Sequence, residues 1–193
     1  MYTVHVNTVH VGRSKRRILD AAQRLHVEHG LDAVSMRNVA EVVGVVPAAI
    51  YRHFASKEDL LDAMVDTGFA MLEEELAKAR TLANLMRRFL NFSLAEPRLY
   101  ELMFLRRREN ARKFPADFRA GKSGAFNVPH RLVAAEGFPG DPLDVTFNIW
   151  AHAHGLISMY TLGRFSYGEA EFIRFYERSM RRLLDGIRKG KSK

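Results

Sequence analysis

The sequence predicts an all-α protein: an N-terminal three-helix unit carrying a helix-turn-helix, followed by a larger helical bundle. Three observations predict it. Apolar residues recur every three to four positions along almost the whole chain. No segment of reasonable length alternates as a half-buried strand does. The period breaks at glycine and proline: at Gly30, Gly44, Pro97, "KFP" (113–115), "GFPGDP" (137–142) and between Gly163 and Gly168. About nine helices result, three short ones first, then a connector, then the bundle.

Residues 1–12, "MYTVHVNTVHVG", are expected to be a mobile arm, since so short a polar segment has little to fold against. Their alternating valines leave pairing as an edge strand open. Residues 15–29 place Ile18, Ala22 and Leu25 on one helical face, and Gly30 stops that helix as a left-handed cap does. Ser35 is a good N-cap for "MRNVAEVV", which ends at Gly44. Pro47 suits the first helical position, where its missing N–H costs nothing, and "PAAIYRHF" (47–54) then makes about two turns. Ser56 and Asp59 form a variant capping box that opens "KEDLLDAMVDTGFAMLEEELAKA" (57–79). Further helices are expected near 81–95, 97–107, 118–136, 141–163 and 168–189.

Composition narrows the function classes. The chain has 193 residues and 47% hydrophobic residues, enough to fill a core. It has no cysteine, which removes disulfides and thiolate chemistry and fits the reducing cytoplasm as its expected location. No run approaches the ~20 apolar residues of a membrane span, and no secretory signal opens the chain. The net charge of +8 favours polyanions, nucleic acid before anionic membrane surface. Basic residues cluster in "GRSKRR" (12–17), "RRRENARK" (106–113) and "RRLLDGIRKGKSK" (181–193). The last two read as solvated helix faces or tails, whereas the first directly precedes the two short helices.

Those helices, 36–43 and 47–54, are joined by a three-residue turn containing Gly44. This is the supersecondary unit that docks in the DNA major groove. The groove is about 12 Å wide, so the entering helix must approach closely at its front. Pro47, Ala48 and Ala49 are small enough to allow that. Ala48 and Ala49 can touch thymine methyls but cannot hydrogen-bond base edges. Ile50 and Phe54, four apart, face the core and pin the helix, leaving Tyr51 and His53 to reach phosphates on either side. Lys57 adds a charge at the next helix start, and Arg13 and Lys15 of the first basic cluster join the DNA-contacting set. Since the helix front lacks donors, Arg37 is the first candidate for reading a guanine and Arg52 the second; Arg52 is otherwise a solvated charge.

The row Ser35, Val39, Ala40, Gly44, Val45, Ile50, Tyr51, His53, Phe54, Lys57, Leu60 resembles the signature of TetR-type transcriptional regulators. The preceding "ILDAAQRLHVEHGLDAVSMRNVA" looks like that family's first helix and the turn into its second. The match covers residues 14–66. It departs at Val46, where the family often has Ser or Thr, and at His26, where an aromatic is common. The resemblance implies that Ser35 and Arg37 touch the DNA backbone or groove edge, that residues 47–49 face bases, and that Tyr51, His53 and Lys57 clamp phosphates. It implies a division into arm (1–12), DNA-binding domain (13–60) and ligand-sensing, dimerising domain (61–193). It also implies a repressor that binds an inverted-repeat operator in double-stranded DNA as a homodimer and is released by a small-molecule effector. The segments "EPRLYELMFL" (96–105) and "WAHAHGLISMYTLGRF" (150–165) further resemble the subfamily whose regulatory domain is named for Trp, His and Gly, here Trp150, His154 and Gly155.

The 141–163 helix carries two stripes. Ala151, Gly155, Ser158 and Leu162 form a small one, a candidate dimer contact or ordinary intrachain packing. Phe147, Trp150, His154, Ile157 and Thr161 form a bulky one that faces the subunit's own core or a pocket. The last helix carries Phe172, Tyr176, Met180, Leu183 and Ile187 on an apolar stripe expected to join a partner's helices in a four-helix interface. Candidates for lining an apolar effector pocket are Phe89, Phe92, Met103, Phe104, Phe147, Trp150 and His154, with plain core as the alternative.

Enzyme and metal readings find no support. His152 and His154 are two apart, so a helix points them about 200° from each other and they cannot share an ion. HExxH, a glycine-rich phosphate loop and GxSxG are absent. No cofactor, metal or catalytic residue is expected. The competing reading is a basic helical protein that binds nucleic acid without sequence preference. A membrane-surface protein fits less well, because the apolar pattern is two-sided.

Overall fold

A computed structural model describes residues 12–190 of the chain; the expected N-terminal arm lies, but for Gly12, outside the described residues. Among them are ten α-helices and no strand: α1 Arg13–His29, α2 Met36–Val43, α3 Pro47–Tyr51, α4 Lys57–Ala77, α5 Leu82–Ala95, α6 Pro97–Phe104, α7 Ala116–Arg119, α8 Gly124–Glu136, α9 Pro142–Thr161 and α10 Glu169–Lys189. A 3₁₀ turn, Leu31–Ala33, separates α1 from α2. The single helix expected over 118–136 is two, because the chain turns at 120–123, where the Lys122 N–H reaches the Asp117 carbonyl at 3.0 Å.

The helices form two compact units, one of residues up to 71 plus 98–108, the other of 72–97 plus 109 onward. The domain boundary expected after residue 60 and the break between the units after residue 71 both fall inside α4, and most of α6 belongs with the N-terminal unit. The reason lies in how α6 meets α4. A Cβ added at Gly68 of α4 would stand 2.6 Å from the Met103 sulfur and 3.0 Å from Leu99, so the side chains of α6 pack close against a glycine where any larger residue would make them shift. Just beyond α6, Arg106 and Arg108 reach back to Asp62 on α4 at 3.0 and 3.1 Å, and Arg108 also reaches Asp66 at 3.2 Å. Arg108 is thus a paired cation whose side chain is 8% exposed, a correction to the solvated face expected for 106–113. Burial alone would raise the Asp62 carboxyl, but the Arg106 hydrogen bond and the charges of Arg108 and Arg106 outweigh it and hold it below the ordinary range.

α6 also caps α1. Arg98 donates from Nη1 to the carbonyls of His26 (2.9 Å) and Val27 (2.8 Å), acceptors that the last turn of α1 leaves unfilled. In return the buried His26 ring lies with Nε2 2.9 Å from the Arg98 carbonyl. A carbonyl only accepts, so Nε2 carries the proton. This exchange explains a histidine at a position where an apolar ring would pack: the polar ring fastens α1 to α6.

In the C-terminal unit, α9 packs against α5, α8 and α10, and α10 against α5. Thr81 caps α5 by accepting from the Asn84 N–H at 3.2 Å, and Asp141 caps α9 from the Leu143 N–H at 2.9 Å with Pro142 behind it. Phe172, Tyr176 and Met180 of α10 are buried in this unit's own core. Phe172 stacks on Tyr160 at 4.0 Å, and the Tyr176 hydroxyl donates to the Met86 carbonyl at 3.3 Å. Their expected place on a dimer face is therefore corrected: these side chains are consumed by packing on α9 and α5. Leu184, rather than Leu183, closes the core, while Leu183 and Ile187 are half-buried.

Candidate nucleic-acid interface

The α2–α3 pair is built by local chemistry. Ser35 accepts the Asn38 N–H at 3.1 Å, and the Asn38 side chain donates to the Ala33 carbonyl at 2.9 Å, which fixes where α2 starts. Gly44 ends it at φ 77°, ψ 40°, the left-handed conformation that any Cβ disfavours. Its N–H and that of Val45 both return to the Ala40 carbonyl at 2.9 Å, and Arg17 of α1 donates to the Val43 carbonyl at 3.2 Å. Pro47 then starts α3. The helix is shorter than the two turns expected: after Tyr51 the chain tightens, with the N–H groups of His53 and Phe54 both on the Ile50 carbonyl. Ile50 and Phe54 are fully buried and pin the pair, as their spacing requires.

What remains outward is small, cationic or, at Val45, Val46 and Tyr51, apolar or aromatic. Pro47, Ala48, Tyr51, Arg52 and His53 are exposed, Tyr51 by 55% despite its ring, and Ala49 is half-buried. Arg37 is exposed on α2 and Arg13 at the start of α1. Two expected contacts are otherwise engaged. Lys15 lies over the Phe54 ring, 5.0 Å from its centroid, and Lys57 donates to the Leu31 carbonyl at 3.4 Å, a long bond that leaves its charge near the surface. Ser35 is spent largely on its capping bond.

Sequence reasoning missed Arg17 and Ser14. Together with Ile18, Val43, Val45, Ala49, Arg52 and His53 they line a shallow crevice beside α3. The signal available was electrostatic. The first turn of α1 holds no acidic residue and no side-chain cap, yet Arg13, Lys15, Arg16 and Arg17 crowd there. Cations at the positive end of a helix oppose its dipole, so this placement does not serve the helix and suits an external anion.

The residues expected to line an effector pocket divide between the units. Met103 lies against Gly68, and Phe104 packs on Phe69 and Tyr100 (5.2 and 5.1 Å), all in the N-terminal unit. In the C-terminal unit Phe89, Trp150 and His154 meet as a triad with centroids 4.7 to 5.1 Å apart. Phe126 extends it from Trp150 at 6.2 Å, and Phe118 links Phe126 (4.7 Å) to Phe147 (6.1 Å), which also faces Phe114 at 4.1 Å. Phe92 is buried on the same α5. The His154 Nε2 is sealed from solvent, and burial pushes its imidazole down to about 3, so the ring is neutral at physiological pH. His152, by contrast, turns to Ser179 on α10 at 2.9 Å, as the two-residue spacing demands. The small stripe of α9 faces outward: Ala151 and Gly155 are exposed, Leu162 is 61% exposed, and Ser158 is half-buried.

A short helix with a small front, joined through a left-handed glycine to a capped helix and rimmed by cations, defines a helix-turn-helix protein. Comparison with known proteins gives the family. The description "bacterial regulatory proteins, tetR family" matches residues 18–64, and "tetracyclin repressor-like, C-terminal domain" matches residues 82–184. The chain belongs to the TetR family of bacterial regulatory proteins.

The HTH-type transcriptional repressor KstR2 of Rhodococcus jostii is 39% identical over 56 residues, 28% of each chain. The HTH-type transcriptional repressor AcnR of Corynebacterium glutamicum is 31% identical over 93 residues, 48% of this chain and 47% of that one. The chain thus spans less than half the length of these curated relatives. Among solved structures, TetR from Acinetobacter baumannii AYE superposes with a TM-score of 0.68 at 19% identity, covering 95% of this chain and all of that one; it shares the fold. No described helix is long and apolar enough to cross a membrane.

Proposed function

We propose that this protein is a transcriptional repressor that binds an inverted-repeat operator as a homodimer and lets go when a small molecule enters its C-terminal unit. The observation that carries the reading is the α2–Gly44–α3 pair, with Ile50 and Phe54 buried behind it and Ala48, Tyr51, Arg52 and His53 presented in front. Pro47, Ala48 and Ala49 enter the major groove, while Tyr51, His53 and Lys57, with Arg13, hold phosphates. Arg37 and Arg52 are the side chains that reach base edges. Ser35 sets the start of α2 against the backbone, and Lys15 stiffens the base of the reader through Phe54.

One such helix reads only a few base pairs, so specificity requires two, on half-sites about one helical turn apart or a multiple of it. The outward stripe Ala151, Gly155, Ser158 and Leu162 is the surface by which two copies pair. The triad Phe89, Trp150 and His154, extended by Phe92 and Phe147, takes the effector, an apolar molecule with one polar group to meet the neutral imidazole. A ligand that prefers one arrangement of the C-terminal unit shifts the spacing of the readers through α4, the helix both units share.

The test is salt-titrated binding to the inverted repeat flanking the gene against a scrambled duplex. A specific reader keeps a large affinity ratio at physiological salt; a counterion-driven binder loses it. Tyr51→Ala and Lys57→Ala should weaken both duplexes about equally, whereas Arg37→Ala should relax preference at one position by about 1–3 kcal/mol. Unchanged operator binding in both Tyr51→Ala and Lys57→Ala would overturn the docking.

A further inference from the structure

Val46 neither caps the helix it precedes nor packs into the core. It is the residue before α3, at φ −74° and ψ 147°, and makes no side-chain cap. A serine or threonine would accept an α3 N–H from that position, as Ser35 and Thr81 do for their own helices. Instead the chain puts a branched apolar side chain there and leaves it 67% exposed, the most exposed large hydrophobic side chain among the described residues. Neither helix capping nor core packing rewards that choice. The neighbours continue the theme: from Val45 to Ile50 no side chain carries a hydrogen-bond donor or acceptor, and Pro47 and Ala48 are exposed. Beside it, exposed Arg52 and His53 share a crevice with Val45 and Ala49, so the tip's occupant is anionic around an apolar spot. In the major groove one base feature meets that description, the C5-methyl of thymine between two phosphate backbones.

We propose that Val46, with Ala48, reads thymine by its 5-methyl group, so that each operator half-site carries thymine where the tip of α3 touches it. The inference rests on the assignment of α3 as the groove helix, and extends it from a docking geometry to a base preference. Cytosine lacks the methyl, and an adenine at that point turns an amino donor toward side chains that cannot accept from it. Discrimination is therefore apolar at the tip and polar only farther out, at Arg37 and Arg52.

The experiment uses the full chain and duplexes selected by it from a random-sequence library. Each thymine of the selected site is replaced in turn by deoxyuridine, which removes the methyl and leaves the pairing edge intact. One or two positions per half-site should lose about four-fold in affinity, roughly 0.8 kcal/mol for one methyl withdrawn from apolar contact. The other positions should not change. Val46→Ser removes both γ-methyls and supplies the missing cap; it should erase the thymine-over-uracil ratio at one position while the thermal midpoint stays level or rises. Equal binding of thymine and uracil duplexes at every position, or ratios that all survive in Val46→Ser, would overturn the inference and leave the groove assignment standing. Failure to select any preferred sequence would overturn both.

Discussion

The reader helix and the aromatic triad solve opposite problems. At α3 the proposed contact residues Ala48, Tyr51, Arg52 and His53 are exposed, while Ile50 and Phe54 behind them are buried and anchor the helix. At Phe89, Trp150 and His154 the same rings that would recognise a ligand also fill the core, at 4.7 to 5.1 Å from one another. On the function proposed above, recognition and stability fall on different residues in the first region and on the same residues in the second. On that reading α3 can drift in specificity without unfolding, whereas any change in the triad alters packing and recognition at once.

The sharpest way to break this contrast is at Phe54. Its ring is 1% exposed and carries Lys15 on its face. Phe54→Ala should destabilise the N-terminal unit by about 3–5 kcal/mol through transfer and cavity terms together, and hydrogen exchange of the α1–α3 amides should accelerate accordingly. Tyr51→Ala, three residues away and 55% exposed, should leave those exchange rates within about 0.5 kcal/mol of the parent. If both substitutions loosen the amides alike, anchoring and reading are not separated, and the contrast fails.

The same contrast explains what could be read from the sequence and what could not. The helix-turn-helix was legible because its determinants are local: a cap at Ser35, a left-handed glycine at 44, a proline at a helix start, two apolar residues four apart. A pocket or an interface depends on which distant face a stripe meets, and periodicity does not say. Met103 and Phe104 looked like pocket residues beside Phe89, yet Gly68 lets α6 seat them on α4 in the other unit. Phe172, Tyr176 and Met180 made a good apolar stripe, but α9 and α5 of the same chain fill it. Charge behaved likewise. Arg108 belonged to a basic run until Asp62 and Asp66, forty-odd residues away, drew it in. His26 looked like a departure from an aromatic and proved to be a fastener to Arg98.

A smaller effect tests the triad through its titratable member. The His154 imidazole falls from an ordinary 6.5 to about 3 because burial penalises its charged form. A histidine whose pKa is lower folded than unfolded binds its proton more readily when unfolded. Its neutral packing therefore supports the fold fully above pH 6.5, and that support is lost as pH falls from there toward 3. By about pH 5 the loss amounts to roughly 2 kcal/mol. His154→Phe keeps a ring and removes the titration, so its stability should fall less than the parent's between about pH 7.5 and 5. Trp150, the one tryptophan of the chain, lies 5.1 Å from His154 and reports the unfolding by fluorescence in urea. Equal acid sensitivity in the two proteins would mean that the imidazole is not held neutral by this packing.

The smallest expected effect bears on α9, where the outer face behaves like the reader and the inner like the triad. A methyl placed on Gly155 meets no atom of its own chain within 4 Å. For the isolated subunit Gly155→Ala should therefore stabilise, by about 0.5–1 kcal/mol, since alanine loses less backbone entropy in a helix interior. If Ala151, Gly155, Ser158 and Leu162 press against the same stripe of a second copy, that methyl intrudes on a close backbone approach and dimerisation weakens. The two signs separate cleanly: urea unfolding at low concentration gives the first, sedimentation over a concentration series the second. A more stable subunit with a raised dimer dissociation constant is the expected pair of results. A more stable subunit that dimerises as well as before would leave this stripe facing water and move the partner's contact elsewhere on the C-terminal unit.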